Sequence, residues 1–231
     1  EDVLAQFEST RAGFWSHATR MVLSNLWLVL GQPSRAVRLL DHDGPDVPPW
    51  LLADRQLLRL DLALATQQRP PPGALQLALA HAGSDAQRGP WLRVRALRHL
   101  PAEQVLADGA ALQAELATTE RYGVAMALQV HLARSAVAVG QVAVAERAAE
   151  LLLAQFAKGI APDAVYRAEA WWVASRAFKA AGRPGEAEAA LKQGAQWISQ
   201  QALPHVPPPF IDSFLHRNPV NAELLAAASS A

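Results

Sequence analysis

The chain has 231 residues, 51% hydrophobic and 18% charged, a composition that argues against an intrinsically disordered chain. Lysine plus arginine and aspartate plus glutamate both number 21, so no net positive charge attracts nucleic acid or an anionic membrane. The absence of cysteine excludes disulfides, thiol nucleophiles and thiolate metal sites. The longest strongly apolar run, residues 21–30, is too short to cross a bilayer. The absence of cysteine permits a reducing compartment, and we expect a cytoplasmic protein without membrane contact.

The first predicted pair of helices turns at Gly31. Apolar residues with helical spacing fill residues 1–30, and a second helical pattern follows the glycine. Trp27 lies four residues before Gly31, and Ala36 lies five residues after it. The same spacing recurs further along the chain, so it predicts a repeated helix–turn–helix unit.

The middle of the chain carries a weaker form of this pattern. Helices are predicted over residues 49–67, 74–81, 91–100 and 101–121, separated by loops at 41–49, 69–73 and 83–90. Between residues 41 and 101 prolines and longer loops replace the single-glycine turn, so repeat boundaries there are poorly defined by the sequence.

Two well-defined pairs follow, and their turns at Gly140 and Gly182 lie 42 residues apart, a period typical of helical-pair arrays. In the second pair Trp171, Ala174 and Phe178 fall on one helical face, which we predict to be core. The partner helix carries an apolar and small-residue face made of Ala187, Leu191, Gly194 and Ile198. Because no segment alternates β-branched and polar residues, we predict an all-α fold.

The clearest pair resembles the tetratricopeptide repeat. The residues that match its consensus spacing are Trp171, Ala174, Ser175, Phe178, Gly182, Ala187 and Leu191. The pairs that turn at Gly31 and Gly140 match more weakly. The resemblance implies a right-handed α–α superhelix, a solenoid of about five hairpins over residues 1–203. A capping segment, residues 204–231, would close it with one or two helices.

The 42-residue period also resembles the solenoids of bacterial transcriptional activators of the maltose-regulon type. The tail, residues 205–225, resembles the segment that closes such arrays in large ATPase regulators and kinase–ATPase fusions. Since the chain begins at Glu1 without an initiator methionine, we expect a fragment whose parental ATPase, kinase or DNA-binding domains lie elsewhere. The resemblance implies a non-catalytic interaction or regulatory arm of a bacterial signalling or transcription-regulating protein.

The tail has a structural interpretation of its own. Residues 210–216 can form a helix whose apolar face covers the last hairpin, as the exposed end of a solenoid requires. Asn218 followed by Pro219 is typical of a helix start. We therefore predict a structural lid rather than a binding motif.

Motifs for catalysis or cofactor binding are missing from the sequence. No phosphate-binding glycine loop, zinc-protease motif or serine-nucleophile motif is present, so we expect no enzyme, no cofactor and no metal site. Asp41, Asp43 and Asp46 resemble a calcium loop, but Pro45 occupies a ligand position and Leu52 replaces the bidentate glutamate. We interpret these aspartates as solvated loop acids.

Isolated basic residues are interpreted as structural. Arg93, Arg95 and Arg98 are spread around one short helix rather than along a stripe, which favours a solvated face over a phosphate site. His131 stands alone on a helix, a placement more typical of a packed or solvated histidine than of a ligand.

By the resemblance, the first helix of each pair lines a concave groove. The candidate groove residues for binding a partner or effector are Arg59, Gln129, Arg134, Trp172, Arg176 and Lys179. Adjacent helical residues point about 100° apart, so Trp171 and Trp172 cannot share one core contact. Trp172 is then either a groove residue or packed on the neighbouring pair.

We expect the partner to be a protein or peptide segment, including other domains of the parent chain, without direct nucleic acid contact. The alternative is a small-molecule effector, sugar-like or anionic, held by Trp172 and nearby arginines.

Overall fold

Thirteen α-helices and no strand make up the regular secondary structure of the part of the chain that the computed structural model describes, residues 2–9, 13–40, 48–83 and 85–230. This confirms the predicted all-α class. The acidic loop with Asp41, Asp43 and Asp46 lies outside the described residues. No helix within the described ranges is long and apolar enough to cross a membrane.

The chain divides into two units, which are described separately. One comprises Glu1–Ala96 and Pro209–Asn218, and the other comprises Leu97–Pro208 and Pro219–Ala231. The described helices of the first unit are α1 (Asp2–Ser9), α2 (Gly13–Val29), α3 (Pro33–Leu40), α4 (Pro49–Ala65), α5 (Ala74–Ala82), α6 (Gly89–Ala96) and α12 (Ile211–His216). Those of the second are α7 (Ala102–Ala117), α8 (Tyr122–Ala138), α9 (Val142–Ala157), α10 (Arg167–Ala180), α11 (Pro184–Trp197) and α13 (Pro219–Ser230). Short 3₁₀ turns occur at Leu97–His99, Leu203–His205 and Pro208–Phe210, and a π turn at Ile198–Ala202.

The predicted turns at Gly31, Gly140 and Gly182 are confirmed. All three glycines have left-handed φ angles, of 68°, 73° and 71°. At Gly182, the amide of Arg183 donates back to the Phe178 carbonyl at 2.9 Å, the bond that closes a Schellman helix end. Equivalent bonds of 2.8 Å follow the other two glycines. A glycine at this position avoids the steric cost that a side chain has at positive φ.

Helix α4 ends in the same way without a glycine. Gln67 takes a left-handed φ of 54°, and the amide of Gln68 donates to the Ala63 carbonyl at 2.9 Å. Glutamine rarely adopts positive φ, so no residue pattern predicts this turn. The α4–α5 pair therefore keeps the helix end of the regular pairs, and its irregularity lies in the proline-rich connection after it.

Small residues bring α4, α5 and α6 close together in the first unit. The buried cluster that joins them consists of Ala53, Leu57, Leu60, Ala74, Ala78, Ala82, Leu92 and Ala96. A Cβ atom added at Gly89 would lie 2.6 Å from the Ala82 carbonyl oxygen, so the start of α6 approaches the end of α5 too closely for any other residue.

The second unit contains the predicted core face of α10. Trp171, Ala174 and Phe178 are all buried, as are Ala187 on the facing helix α11 and Ile198 in the π turn that follows it. Gly194 lies where a Cβ atom would come within 3.0 Å of Trp171, so α10 and α11 approach each other closely there. The small-residue spacing of this pair was therefore interpreted correctly.

Two structural expectations were wrong. Helix α12 does not cover the last hairpin, because the Phe210 ring just before it packs 5.2 Å from Trp27 and the Ser213 hydroxyl donates to the Leu30 carbonyl at 2.6 Å. Helix α13 contacts α10 and α11 instead, with Leu224 fully buried. The predicted start of α13 at Pro219 is confirmed.

The second wrong expectation concerns the arginines of residues 93–98. Arg95 is buried in the first unit and donates to the carboxylates of Asp54 and Asp61, the latter at 2.9 Å. Arg98 pairs with Glu169 in the second unit at 3.0 Å. Both guanidiniums are fixed by buried or half-buried acids that are distant in sequence, so neither belongs to a solvated face.

Candidate functional site

A cleft in the second unit lies among the 97–99 turn, α8, α10 and the first turn of α13. Its volume is about 190 Å³. The residues that line it are Arg98, Arg134, Val137, Glu169, Trp172, Val173, Arg176, Pro219, Val220 and Glu223. Three arginines in so small a cleft make it a candidate site for an anionic group.

Glu169 anchors this cleft from the first turn of α10. Its side chain is almost fully buried, and Arg98 Nη1 donates to both of its oxygens at 3.0 and 3.2 Å. Arg134 Nη2 donates to the Oε1 atom of the same carboxylate. Burial alone would raise the pKa of Glu169, but the charges of Arg98 and Arg134 outweigh it and lower the pKa to about 2. The carboxylate is therefore ionised at neutral pH and holds both arginines in place.

Helix α10 presents four of its residues to the cleft. Glu169, Trp172, Val173 and Arg176 follow each other at intervals of three, one and three residues, which places them on one helical face. The guanidinium carbon of Arg176 lies 5.9 Å from the centre of the Trp172 ring. Among the described residues no carboxylate pairs with Arg176, whose side chain is exposed. Arg176 can therefore receive an external anion, with the indole limiting its motion.

His131 lies one turn before Arg134 on α8. Its ring is buried, and neither nitrogen has a hydrogen-bond partner within the described parts of the chain. Burial, followed by the positive charge of Arg134, lowers its pKa well below 6.5, so the imidazole is neutral at pH 7. The histidine is not among the residues that line the cleft. No group of acidic or histidine residues with metal-binding geometry occurs among the residues described.

Three of the six sequence-derived candidates, Arg134, Trp172 and Arg176, come together in this cleft. Trp172 is half-buried there, while its neighbour Trp171 is buried on another face of α10. Both alternatives for Trp172, a groove residue or packing on the neighbouring pair, therefore stay predictions.

The other three candidates lie elsewhere. Gln129 is buried on α8, and Lys179 is exposed one turn beyond Arg176, but neither lines the cleft. Arg59 belongs to the first unit, where its Nη2 donates to the Leu40 carbonyl at 3.1 Å.

Sequence reasoning missed Arg98, Glu169 and the contribution of α13. Glu169 carried a usable signal, because it precedes Trp172 by three residues and so shares its helical face. Arg98 carried none, since its partner is 71 residues away. The first turn of α13 was assigned to a lid, and only its packing on α10 brings Val220 to the cleft.

Comparison with known proteins gives no significant match, whether with family models, curated protein sequences or solved structures. The tetratricopeptide resemblance of the sequence therefore stays a prediction.

Proposed function

We propose that the second unit is a protein-interaction module that holds an acidic side chain of a partner segment in the cleft beside Trp172. The observation that carries this proposal is the exposed guanidinium of Arg176, which has no acidic partner among the described residues and packs near the indole. An arginine held in this way binds a carboxylate with a charge-assisted hydrogen bond.

The charges around the cleft favour an anionic partner group. Three guanidiniums face two carboxylates, and Glu169 is already committed to Arg98 and Arg134. One added carboxylate would balance the charges of the residues that line the cleft. The valines at positions 137, 173 and 220 supply apolar surface beside the charges, which suits an acidic segment with interspersed hydrophobic residues.

The volume of the cleft favours a side chain over a free metabolite. About 190 Å³ lies below the roughly 300–1,000 Å³ of pockets that enclose drug-sized ligands. A small-molecule effector is accordingly the competing hypothesis, and the dimensions of this cleft do not favour it.

We further propose that α8–α9 and α10–α11 are tetratricopeptide-like units of a right-handed α–α superhelix. Their glycine turns, their 42-residue spacing and the packing of α10 on both α8 and α9 support this arrangement. The role as a regulatory arm of a bacterial signalling or transcription-regulating protein, and a cytoplasmic location, follow from the sequence resemblance.

The test uses two capped peptides, one alternating glutamate with leucine and one alternating glutamine with leucine. The acidic peptide should shift the indole N–H signal of Trp172 in ¹⁵N-labelled protein, and the glutamine peptide should not. Binding should weaken as salt is added, because the contact is electrostatic and partly exposed. Equal binding of both peptides would contradict the anionic site.

Two charge reversals on α10 provide a matched pair. Arg176→Glu should abolish the shift, as should the double variant with Lys179→Glu, because the cleft then repels the peptide. Lys179→Glu alone makes the same change in net charge one turn away and should alter the affinity by about twofold at most. Unchanged binding by Arg176→Glu in a folded protein would overturn the proposal.

A further inference from the structure

A second cleft in the same unit is lined by Trp171, the neighbour of Trp172. It lies among α9, α10, α11 and the π turn that follows α11, and its volume is about 400 Å³. Since adjacent helical residues point about 100° apart, the two tryptophans face different clefts. This second cleft falls within the volume range of small-molecule sites.

An aromatic wall forms one side of the second cleft. The rings of Phe156 and Trp171 are stacked, with centroids 4.1 Å apart and planes inclined by 5°. The Trp197 ring lies 5.9 Å from that of Trp171. Phe156 and Trp197 are only half-buried and leave apolar surface for a planar ligand, whereas Trp171 is almost fully covered.

Arg167 supplies the positive charge of this cleft. Its guanidinium carbon lies 5.6, 5.8 and 5.7 Å from the ring centres of Phe156, Trp171 and Trp197. None of the residues that line the cleft is acidic, and no ion pair involves Arg167 within the described residues. The rings therefore hold a cation that has no counter-charge in this part of the chain.

Two buried N–H groups at this cleft also lack acceptors. Nε of Arg167 and Nε1 of Trp171 have no hydrogen-bond partner among the residues described, and Trp171 is 6% exposed. Buried donors without acceptors are destabilising. Both belong to residues that line the cleft, so a ligand with an acceptor group at Arg167 would lower that penalty.

We propose that the second cleft binds a small planar organic carboxylate, with the carboxylate on Arg167 and the planar body along the aromatic wall. One guanidinium balances one negative charge, which favours a monocarboxylate over a phosphate dianion. The amides of Gln193, Gln196 and Gln201 complete the lining and suit neutral polar substituents on the ligand. This proposal does not depend on the peptide site beside Trp172.

The experiment titrates 2-naphthoate into the ¹⁵N-labelled 231-residue chain and follows the indole N–H signals, assigned by single Trp→Phe substitutions. The signals of Trp171 and Trp197 should shift, and that of Trp172 should not. Arg167→Gln should weaken binding about tenfold or more, the usual effect of removing a charge-assisted hydrogen bond. If naphthoate at about 10 mM shifts neither signal, the dissociation constant is too high for a binding site, and the proposal is overturned.

Three controls separate charge from stacking. The neutral 2-naphthamide should bind about tenfold more weakly, and equal binding would contradict a carboxylate site. Tighter binding of 2-naphthyl phosphate than of naphthoate would also contradict it. Lys179→Gln removes a positive charge that lines neither cleft and should leave the naphthoate affinity unchanged. If thermal melting shows that Arg167→Gln does not fold, naphthoate and naphthamide are titrated into Arg167→Lys instead, and their affinities are compared. A naphthoate preference that disappears in this lysine variant would support a bidentate guanidinium contact.

Discussion

At the scale of single residues, buried carboxylates fix arginines that would otherwise be mobile. Glu169 binds Arg98 and Arg134 in the second unit, and Asp54 and Asp61 bind Arg95 in the first. A buried ion pair adds little net stability compared with an apolar pair, but removing one partner leaves the other charge unpaired. These acids therefore determine where the guanidiniums lie.

Glu169→Gln should destabilise the chain by about 3 kcal/mol at pH 7, because two half-buried guanidiniums lose their shared counter-charge. The same figure, about 3 kcal/mol, follows from the difference between a folded-state pKa of about 2 and the ordinary value of 4.5. Urea denaturation followed by far-UV circular dichroism measures the change.

The pH dependence of that change identifies its origin. Since the folded-state pKa of Glu169 is depressed, its contribution is complete above pH 4.5 and is lost as the pH falls from 4.5 towards 2. The stability difference between wild type and Glu169→Gln should therefore shrink by roughly 1 kcal/mol between pH 7 and pH 3.5. Glu186→Gln removes an exposed partner of Arg183 and should change stability much less. A pH-independent difference would contradict the ionic origin.

At the scale of helices, the glycine turns are equivalent in backbone conformation but differ in surroundings. A Cβ atom at Gly182 would meet nothing within 4 Å, whereas one at Gly31 would lie 2.3 Å from the Ser213 carbonyl oxygen. Both have φ near 70°, so alanine has the same conformational cost at each.

Gly182→Ala should destabilise by about 1 kcal/mol, the cost of a left-handed alanine. Gly31→Ala should cost about 3 kcal/mol or more, because the backbone of α12 at Ser213 must also move away. Urea titrations of both variants give the comparison. Equal losses would mean that the segment at Ser213 does not pack on the α2–α3 turn.

The sequence predicted these turns and the core face of α10 because both depend on local spacing. Glycine at a helix end and apolar residues at three- and four-residue intervals act within a few turns of chain. The left-handed Gln67 was not predictable in this way, because the chain around it imposes a conformation that glutamine does not favour.

The residues of the candidate site were predictable to the extent that they share a helix. Trp172 and Arg176 were found from α10 alone, and Glu169 had the same signal. Arg98 was not predictable, because its role depends on an acid in another helix. Charge spacing within one short helix therefore gave the wrong environment for Arg98.

At the scale of the whole molecule, the C-terminal tail is shared between the two units. The contact of Ser213 with Leu30 joins residues 183 positions apart, and Asn218 Nδ2 donates to the Val29 carbonyl at 2.8 Å. Helix α13 belongs to the second unit, where Asn221 accepts from the Tyr166 hydroxyl at 3.0 Å. No local pattern in the sequence could divide one short tail in this way.

Two truncations separate the contributions of the tail. Ending the chain after Asn218 removes α13 and its buried Leu224, so amide exchange in α10 and α11 should accelerate about tenfold or more while α2 and α3 keep their protection. Ending the chain after Pro208 also removes Phe214 and the contacts of Ser213 and Asn218, so α2 and α3 should lose protection as well. Hydrogen exchange with mass spectrometry resolves these helices.

The chain that ends at Asn218 is the control for the chain that ends at Pro208, because both lack α13 and only the second lacks residues 209–218. Unchanged protection of α2 and α3 in the chain that ends at Pro208 would mean that residues 209–218 contribute nothing to the stability of the first unit.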